Sequence, residues 1–70
     1  MNLRHIKNYL DTKIGSRMVI IYHGSMNRKE KYCGFLFKTY SNIFVIKLLN
    51  GDIKSFSYID ILTKTIQICV

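Results

Sequence analysis

Basic and aromatic residues gather around one segment of this sequence, residues 24–31. The cluster consists of Arg17, Tyr22, Arg28, Lys29, Lys31 and Tyr32. In many small β-rich proteins, cations hold phosphate groups while aromatic rings stack on nucleic-acid bases. The cluster is therefore a candidate binding site for nucleic acid or for an acidic partner protein. A solvated basic loop beside core tyrosines gives the same pattern, because cations also collect on exposed loops for solubility.

Residues suited to catalysis or metal binding are few and scattered. The four carboxylates stand in four separate segments: Asp11, Glu30, Asp52 and Asp60. No pair of them has a spacing that suits acid–base catalysis. His5 and His23 are solitary, and the sequence has no H-x-x-x-H or C-x-x-C pair. We therefore expect a protein that is not an enzyme, with no catalytic residues, no metal site and no cofactor.

The charge balance favours an anionic partner. Eleven Lys and Arg against four Asp and Glu give a net charge of +7, as is common in proteins that bind nucleic acid. Isoleucine, lysine and asparagine are all abundant, as they are in proteins encoded by AT-rich genomes. Part of the charge can therefore be compositional, and the position of the cations is more informative than their number.

Cysteine usage and hydropathy predict a cytoplasmic location. Cys33 and Cys69 are far apart in sequence and follow no hydrophobic leader that resembles an export signal. Small secreted domains usually carry four or more cysteines, so we expect two free thiols in a reducing compartment. No apolar run approaches the roughly 20 residues of a membrane span, so no membrane association is expected.

The length of 70 residues predicts a single domain, residues 1–70, with a small core. Burial of apolar surface in so short a chain barely exceeds the entropy lost on ordering. Closure of a barrel or association into a homodimer is therefore plausible from size alone.

The N-terminal segment has the periodicity of a short amphipathic helix, about residues 2–13. Leu3, Ile6 and Leu10 recur at spacings of three and four residues. Asn2 suits the N-cap, and Gly15 suits the helix stop. A helix of about three turns is marginal alone, so we expect it to dock on the barrel predicted for residues 16–70.

Five strand-like runs follow, at residues 17–22, 31–39, 43–48, 53–57 and 63–70. Gly34 stands within the second run, where glycine marks a bulge, a bend or a close backbone approach. The Asn50-Gly51 pair predicts a two-residue hairpin turn between the third and fourth runs. Ile66, Ile68 and Val70 of the last run share one face.

The stretch between the fourth and fifth runs has the spacing of one helical turn, residues 58–62. Such a turn lets the chain cross the end of a small barrel. We predict that Tyr58, Ile61 and Leu62 plug the barrel end, and that the Asp60 side chain bonds nearby backbone N–H groups. The fold prediction is a mostly β, five-stranded SH3-like or Sm-like barrel with an N-terminal helix.

Several motifs extend over nearly the whole chain. They are L-R-H-I-K-N-Y-L at residues 3–10, I-G-S-R at 14–17, G-F-L-F-K-T-Y at 34–40, I-F-V-I at 43–46 and S-Y-I-D-I-L-T-K-T at 57–65. Together they resemble the Veg family, small proteins of low-GC Gram-positive bacteria described as stimulators of biofilm formation. In this chain Ser41 stands where family members often have a proline. Met26, Asn27 and Glu30 dilute the basic loop.

The resemblance implies an SH3-like or Sm-like barrel and a regulatory role in gene expression, reported to act against a biofilm repressor. We expect a non-enzymatic regulatory protein that binds a partner protein such as a transcriptional regulator. The alternative is a module that binds RNA or DNA directly through the basic loop 24–31.

Overall fold

The computed structural model describes residues 2–24 and 26–69. The elements in chain order are α1 (Leu3–Asp11), β1 (Arg17–His23), β2 (Lys29–Thr39), β3 (Ile43–Leu48), β4 (Ile53–Ser57), α2 (Tyr58–Leu62) and β5 (Ile66–Cys69). The five strands form one antiparallel sheet in the order β4-β3-β2-β1-β5. The predicted mostly β class, the N-terminal helix and the helical turn before the last strand are confirmed.

The sheet is open. Within the described residues no strand pairing joins β4 to β5, so these two strands form the edges of the sheet. The prediction of a closed SH3-like or Sm-like barrel is therefore not confirmed. One reason is the length of β5, which has four residues where eight were predicted. Two residues predicted to begin this strand belong to the end of α2 instead: Thr63 is the C-cap of α2, and Lys64 has a left-handed backbone with φ of 62°. Val70, predicted to end the strand, lies outside the described residues.

Helix α1 begins at the predicted N-cap, but it ends at Asp11 with Thr12 as its C-cap, two residues before the predicted end. The Asn2 side chain accepts a 2.9 Å hydrogen bond from a backbone N–H of the first turn, which satisfies one of the free donors at the helix start. Ile6 and Leu10 are buried. After the helix, Gly15 adopts φ of 90°, and its N–H donates a 2.8 Å hydrogen bond to the carbonyl oxygen of Leu36. The chain after α1 is thus fixed to the central strand β2.

One hydrophobic core lies between the sheet and the helices. The fully buried side chains are Ile6, Leu10, Met18, Ile20, Leu36, Phe44, Ile46, Tyr58 and Ile66. Strand residues alternate between the two faces of a sheet. The face that carries these core side chains is called the inner face, and the opposite face, which carries for example Val19 and Val45, is called the outer face.

Gly34 marks a close approach of two backbones, as its position predicts. A Cβ atom at this residue would lie 2.2 Å from the carbonyl oxygen of Lys47 on β3. The bulge in β2 lies further along, because the β2–β3 register shifts between Leu36 and Lys38. Phe37 is the extra residue at this bulge.

The β3–β4 hairpin is confirmed, but its turn is longer than predicted. The backbone N–H of Leu48 donates a 2.7 Å hydrogen bond to the carbonyl oxygen of Asp52, so three residues lie between the paired positions. Gly51 adopts φ of 95°, the left-handed conformation that ends a three-residue hairpin loop. Asn50 stabilises the turn by accepting a 2.9 Å hydrogen bond from the N–H of Asp52.

The residues predicted to plug the barrel end differ in burial. Tyr58 is fully buried, and Ile61 packs against the core while partly exposed. The expectation that Leu62 is buried is wrong, because it is 41% exposed. The helix cap is Ser57, whose hydroxyl accepts a 3.2 Å bond from the N–H of Ile59, rather than Asp60.

Candidate binding surfaces

The basic loop predicted as a binding site is a tight connection between β1 and β2. His23 and Lys29 face each other at the ends of the two strands, and the N–H of Gly24 donates a 2.8 Å hydrogen bond to the carbonyl oxygen of Arg28. Met26 and Asn27 both adopt left-handed backbone conformations. Arg28 and Lys29 are exposed, so this end of the sheet presents two cations to solvent.

The two tyrosines of the predicted cluster lie on a different face from its strand lysines. Tyr32 is paired with the buried Ile20 of β1, and directly opposed residues project to the same side of a sheet. Tyr22 shares this inner side. Lys29 and Lys31 differ from Tyr32 by an odd number of residues along β2, so they project from the outer face.

Arg17 is distant from the loop. It pairs with Phe35, six residues along β1 from the His23 that borders the loop, a separation of about 20 Å at the usual rise per strand residue. The structure therefore brings Arg28 and Lys29 together, places Arg17 at the other end of β1, and separates both tyrosines from the lysines by the sheet.

The ring of Tyr32 is already engaged within the protein. Its hydroxyl donates a 2.6 Å hydrogen bond to Oε2 of Glu30, and this bond raises the pKa of Tyr32 because the neutral phenol is the donor. The Lys54 ammonium lies 4.9 Å from the ring centroid, and Phe56 packs with a centroid separation of 5.7 Å. The Tyr32 ring therefore makes its contacts within the inner face of the sheet, and it is not a free stacking surface beside the basic loop.

A second surface is an apolar groove beside the β5 edge of the sheet. It has a volume of about 460 Å³ and is lined by His23, Ile61, Lys64, Ile66, Gln67 and Ile68. Three isoleucines give it an apolar lining, and the histidine and lysine lie among them. The sequence did not predict this groove, because the groove forms between α2 and β5. Helix α2 follows β4 directly in the chain, whereas β5 lies at the opposite edge of the sheet from β4.

A third surface is the outer face at the middle of the sheet. Phe35 and Phe37 are both exposed there, whereas Leu36 between them is buried on the inner face. Because side chains alternate along β2, these two rings lie on the face opposite Leu36. Only the position of the helices reveals which of the two faces remains uncovered.

Two kinds of feature are absent from the part of the chain that the structure describes. No group of three or more His, Cys, Asp and Glu residues is placed to hold a metal ion within residues 2–24 and 26–69. In those same residues no helix has both the length and the apolar composition needed to cross a membrane.

The fold and these surfaces define a small, basic, mostly β protein with an N-terminal helix and a short helix before its last strand. A family model described as "Biofilm formation stimulator VEG" matches residues 1–69. The chain belongs to the Veg family, which supports a regulatory role related to biofilm formation. A comparison with curated proteins gave no match.

Proposed function

We propose that this Veg-family protein is a non-enzymatic cytoplasmic regulator that influences gene expression and biofilm formation by binding a partner protein, such as a transcriptional regulator. The proposal is supported above all by the groove beside the β5 edge, which combines an apolar lining with an edge strand that pairs only with β1 among the described strands.

The backbone of β5 is oriented to accept a further strand. His23 donates its N–H to the carbonyl oxygen of Thr65 at 2.8 Å, so this pair is hydrogen-bonded across β1 and β5. Hydrogen-bonded and non-hydrogen-bonded pairs alternate along an antiparallel ladder. The backbone groups of Ile66 and Ile68 therefore point away from β1. Ile66 is buried and Ile68 is only partly buried, so Ile68 is the residue whose backbone groups are accessible to a partner strand.

An extended partner segment can bind this edge by strand addition. Main-chain hydrogen bonds then provide affinity, while the isoleucine side chains of the groove select the apolar residues of the segment. Lys64 at the groove favours a segment with acidic residues, because complementary charges guide association and register.

The test is an affinity capture from native lysate with the full chain as bait, carried out with and without nuclease. We expect a protein that is retained after nuclease treatment and released by Lys64→Glu, which reverses the charge at the groove. Arg4→Glu is the matched control, because it changes the net charge equally at an exposed position of α1, where an acidic residue suits the helix start.

Two outcomes would contradict the proposal. If nuclease removes every captured protein, the bait binds nucleic acid and the alternative function is favoured. If Lys64→Glu retains the partner as well as Arg4→Glu does, the partner does not bind at the groove.

A further inference from the structure

Two exposed aromatic residues, Phe35 and Phe37, lie on the central strand of the sheet. Phe35 and Phe37 are 46% and 56% exposed, whereas Leu36 between them is 1% exposed. Because strand residues alternate between faces, both rings project from the outer face, two residues apart. Burial of the intervening leucine fixes this orientation.

Cations border both rings. The strand register places Arg17 of β1 on one side of Phe35 and Lys47 of β3 on the other. The bulge in β2 turns Lys38 to the outer face beside Phe37. These residues are called the outer-face patch: Arg17, Phe35, Phe37, Lys38 and Lys47.

No carboxylate of the described residues balances this charge. Glu30 lies on the inner face with Tyr32, and Asp11 pairs with Lys7 in the one salt bridge found among the described residues. The remaining two carboxylates, Asp52 and Asp60, lie in the β3–β4 turn and on α2. None of the three cations of the outer-face patch forms a salt bridge among the described residues. The Lys38 ammonium lies 5.3 Å from the centroid of the exposed Tyr40 ring, a contact that leaves its charge unneutralised.

The charge of the patch argues against a second copy of the chain as its occupant. Two copies packed through this face would bring like charges together, which costs several kcal/mol in an interface. Protein interfaces in general are also depleted in lysine, whereas two of the three patch cations are lysines. An anionic ligand with flat faces fits the patch better than an apolar protein surface does.

We infer that the outer-face patch binds single-stranded nucleic acid. Bases of a single strand are free to stack on Phe35 and Phe37, and the three cations contact the phosphates on both sides. A duplex hides the faces of its bases, so it can use only the cations. This inference is independent of the proposed partner protein, which binds beside the β5 edge, whereas the outer-face patch lies on β1, β2 and β3.

The binding test uses purified full-length protein and a fluorescein-labelled oligothymidylate of about 12 nucleotides, a length within the usual range for small β folds. Anisotropy titrations at about 50 mM and about 200 mM salt give the dissociation constant and its salt slope. We expect a slope of about −2, from three contacts of roughly −0.7 each for a single strand. The corresponding duplex with oligodeoxyadenylate should bind more weakly.

Substitutions of the rings separate stacking from apolar contact. The double variant Phe35→Leu, Phe37→Leu keeps two apolar side chains but removes the π faces, so it should weaken oligothymidylate binding at least about tenfold. Tyr9→Ala is the matched control, because it removes a ring of similar exposure on α1 and should leave the affinity unchanged. Thermal melts confirm that each variant is folded before it is titrated.

Substitutions of the cations separate the outer-face patch from the basic loop. Lys38→Ala, Lys47→Ala should flatten the salt slope by about 1.4, two contacts' worth. Arg28→Ala, Lys29→Ala removes the same charge from the loop and should alter the slope less.

Three results would overturn the inference. The first is an oligothymidylate affinity that is undetectable at the lower salt concentration. The second is equal binding by the wild type and the double leucine variant. The third is a nuclease-resistant protein complex that depends on Phe35 and Phe37 while oligothymidylate does not compete, which would make the patch a protein interface.

Discussion

The hydroxyl of Tyr58 donates a 2.7 Å hydrogen bond to the backbone carbonyl oxygen of Tyr40. This bond connects the first residue of α2 to the turn between β2 and β3. The Tyr58 ring also stacks on Phe44 with a centroid separation of 5.8 Å and an interplanar angle of 15°. Burial raises the pKa of Tyr58, because the phenolate would lose its hydration.

Substitutions in α2 should reveal that Tyr58, and not Leu62, anchors this helix. We expect Tyr58→Ala to lower the free energy of unfolding by about 3–5 kcal/mol, through the loss of a large buried ring. Tyr58→Phe should cost about 0.5–1.5 kcal/mol, the value of one hydrogen bond. Leu62→Ala should cost less than about 1 kcal/mol, because Leu62 is 41% exposed. Urea denaturation curves of the three variants and the wild type measure these differences, and a larger loss for Leu62→Ala than for Tyr58→Ala would contradict the assignment.

Gly34 should tolerate no side chain. The Cβ of Gly34→Ala would collide with the backbone carbonyl of Lys47, and a backbone cannot move aside as a side-chain end can. We expect a loss of about 1–3 kcal/mol or more in unfolding free energy, as for other overpacked sites. Gly24→Ala is the control, since its Cβ would first meet the end of the Tyr22 ring at 3.3 Å. Equal stability of the two variants in thermal melts would show that β2 and β3 do not approach each other as described.

The two cysteines should not form a disulfide within the chain. Cys33 and Cys69 pair with Val19 from opposite sides, so one whole strand separates them, a distance of about 9.5 Å at the usual strand spacing. A disulfide requires Cα atoms about 4.4–6.8 Å apart, and both thiols are free in the structure. Alkylation after denaturation, followed by intact mass, should find two modified thiols even after mild oxidation of the monomer. A monomer with no modified thiol would require β1 to lie elsewhere.

Local signals in the sequence predicted much of the fold. Asn2 predicted the start of α1, and Gly34 predicted a close backbone contact, because each of these residue types meets a specific backbone requirement. The burial of Leu62 could not be predicted in the same way. Helix α2 has only five residues, which are too few to show from their periodicity which side of the helix faces the core. The rotation of the helix about its axis depends on how it packs against the rest of the core.

The candidate site illustrates a limit of reading clusters from sequence. Lys31 and Tyr32 are neighbours in sequence, but adjacent residues of a strand project to opposite faces of the sheet. Their side chains therefore lie on opposite sides of β2. The same alternation places Phe35 and Phe37 together on one face. Which face stays uncovered depends on where α1 and α2 pack, and this is a property of the whole fold rather than of β2.

A carboxylate at the end of α1 should make stability depend on pH. Asp11 accepts a hydrogen bond from the Thr39 hydroxyl and another, at 2.9 Å, from the Lys7 ammonium, and these bonds lower the pKa of Asp11 in that order of importance. Because the folded pKa lies below the unfolded one, the stabilisation is complete above the unfolded pKa and is lost as pH falls through the folded pKa. We expect Asp11→Asn to lower the melting temperature at about pH 7 and to differ little from the wild type near pH 2, where the carboxylate is protonated. Asp60→Asn controls for the loss of a carboxylate elsewhere. A difference between Asp11→Asn and the wild type that stays constant across this range would show that the ionised carboxylate does not hold α1 to β2.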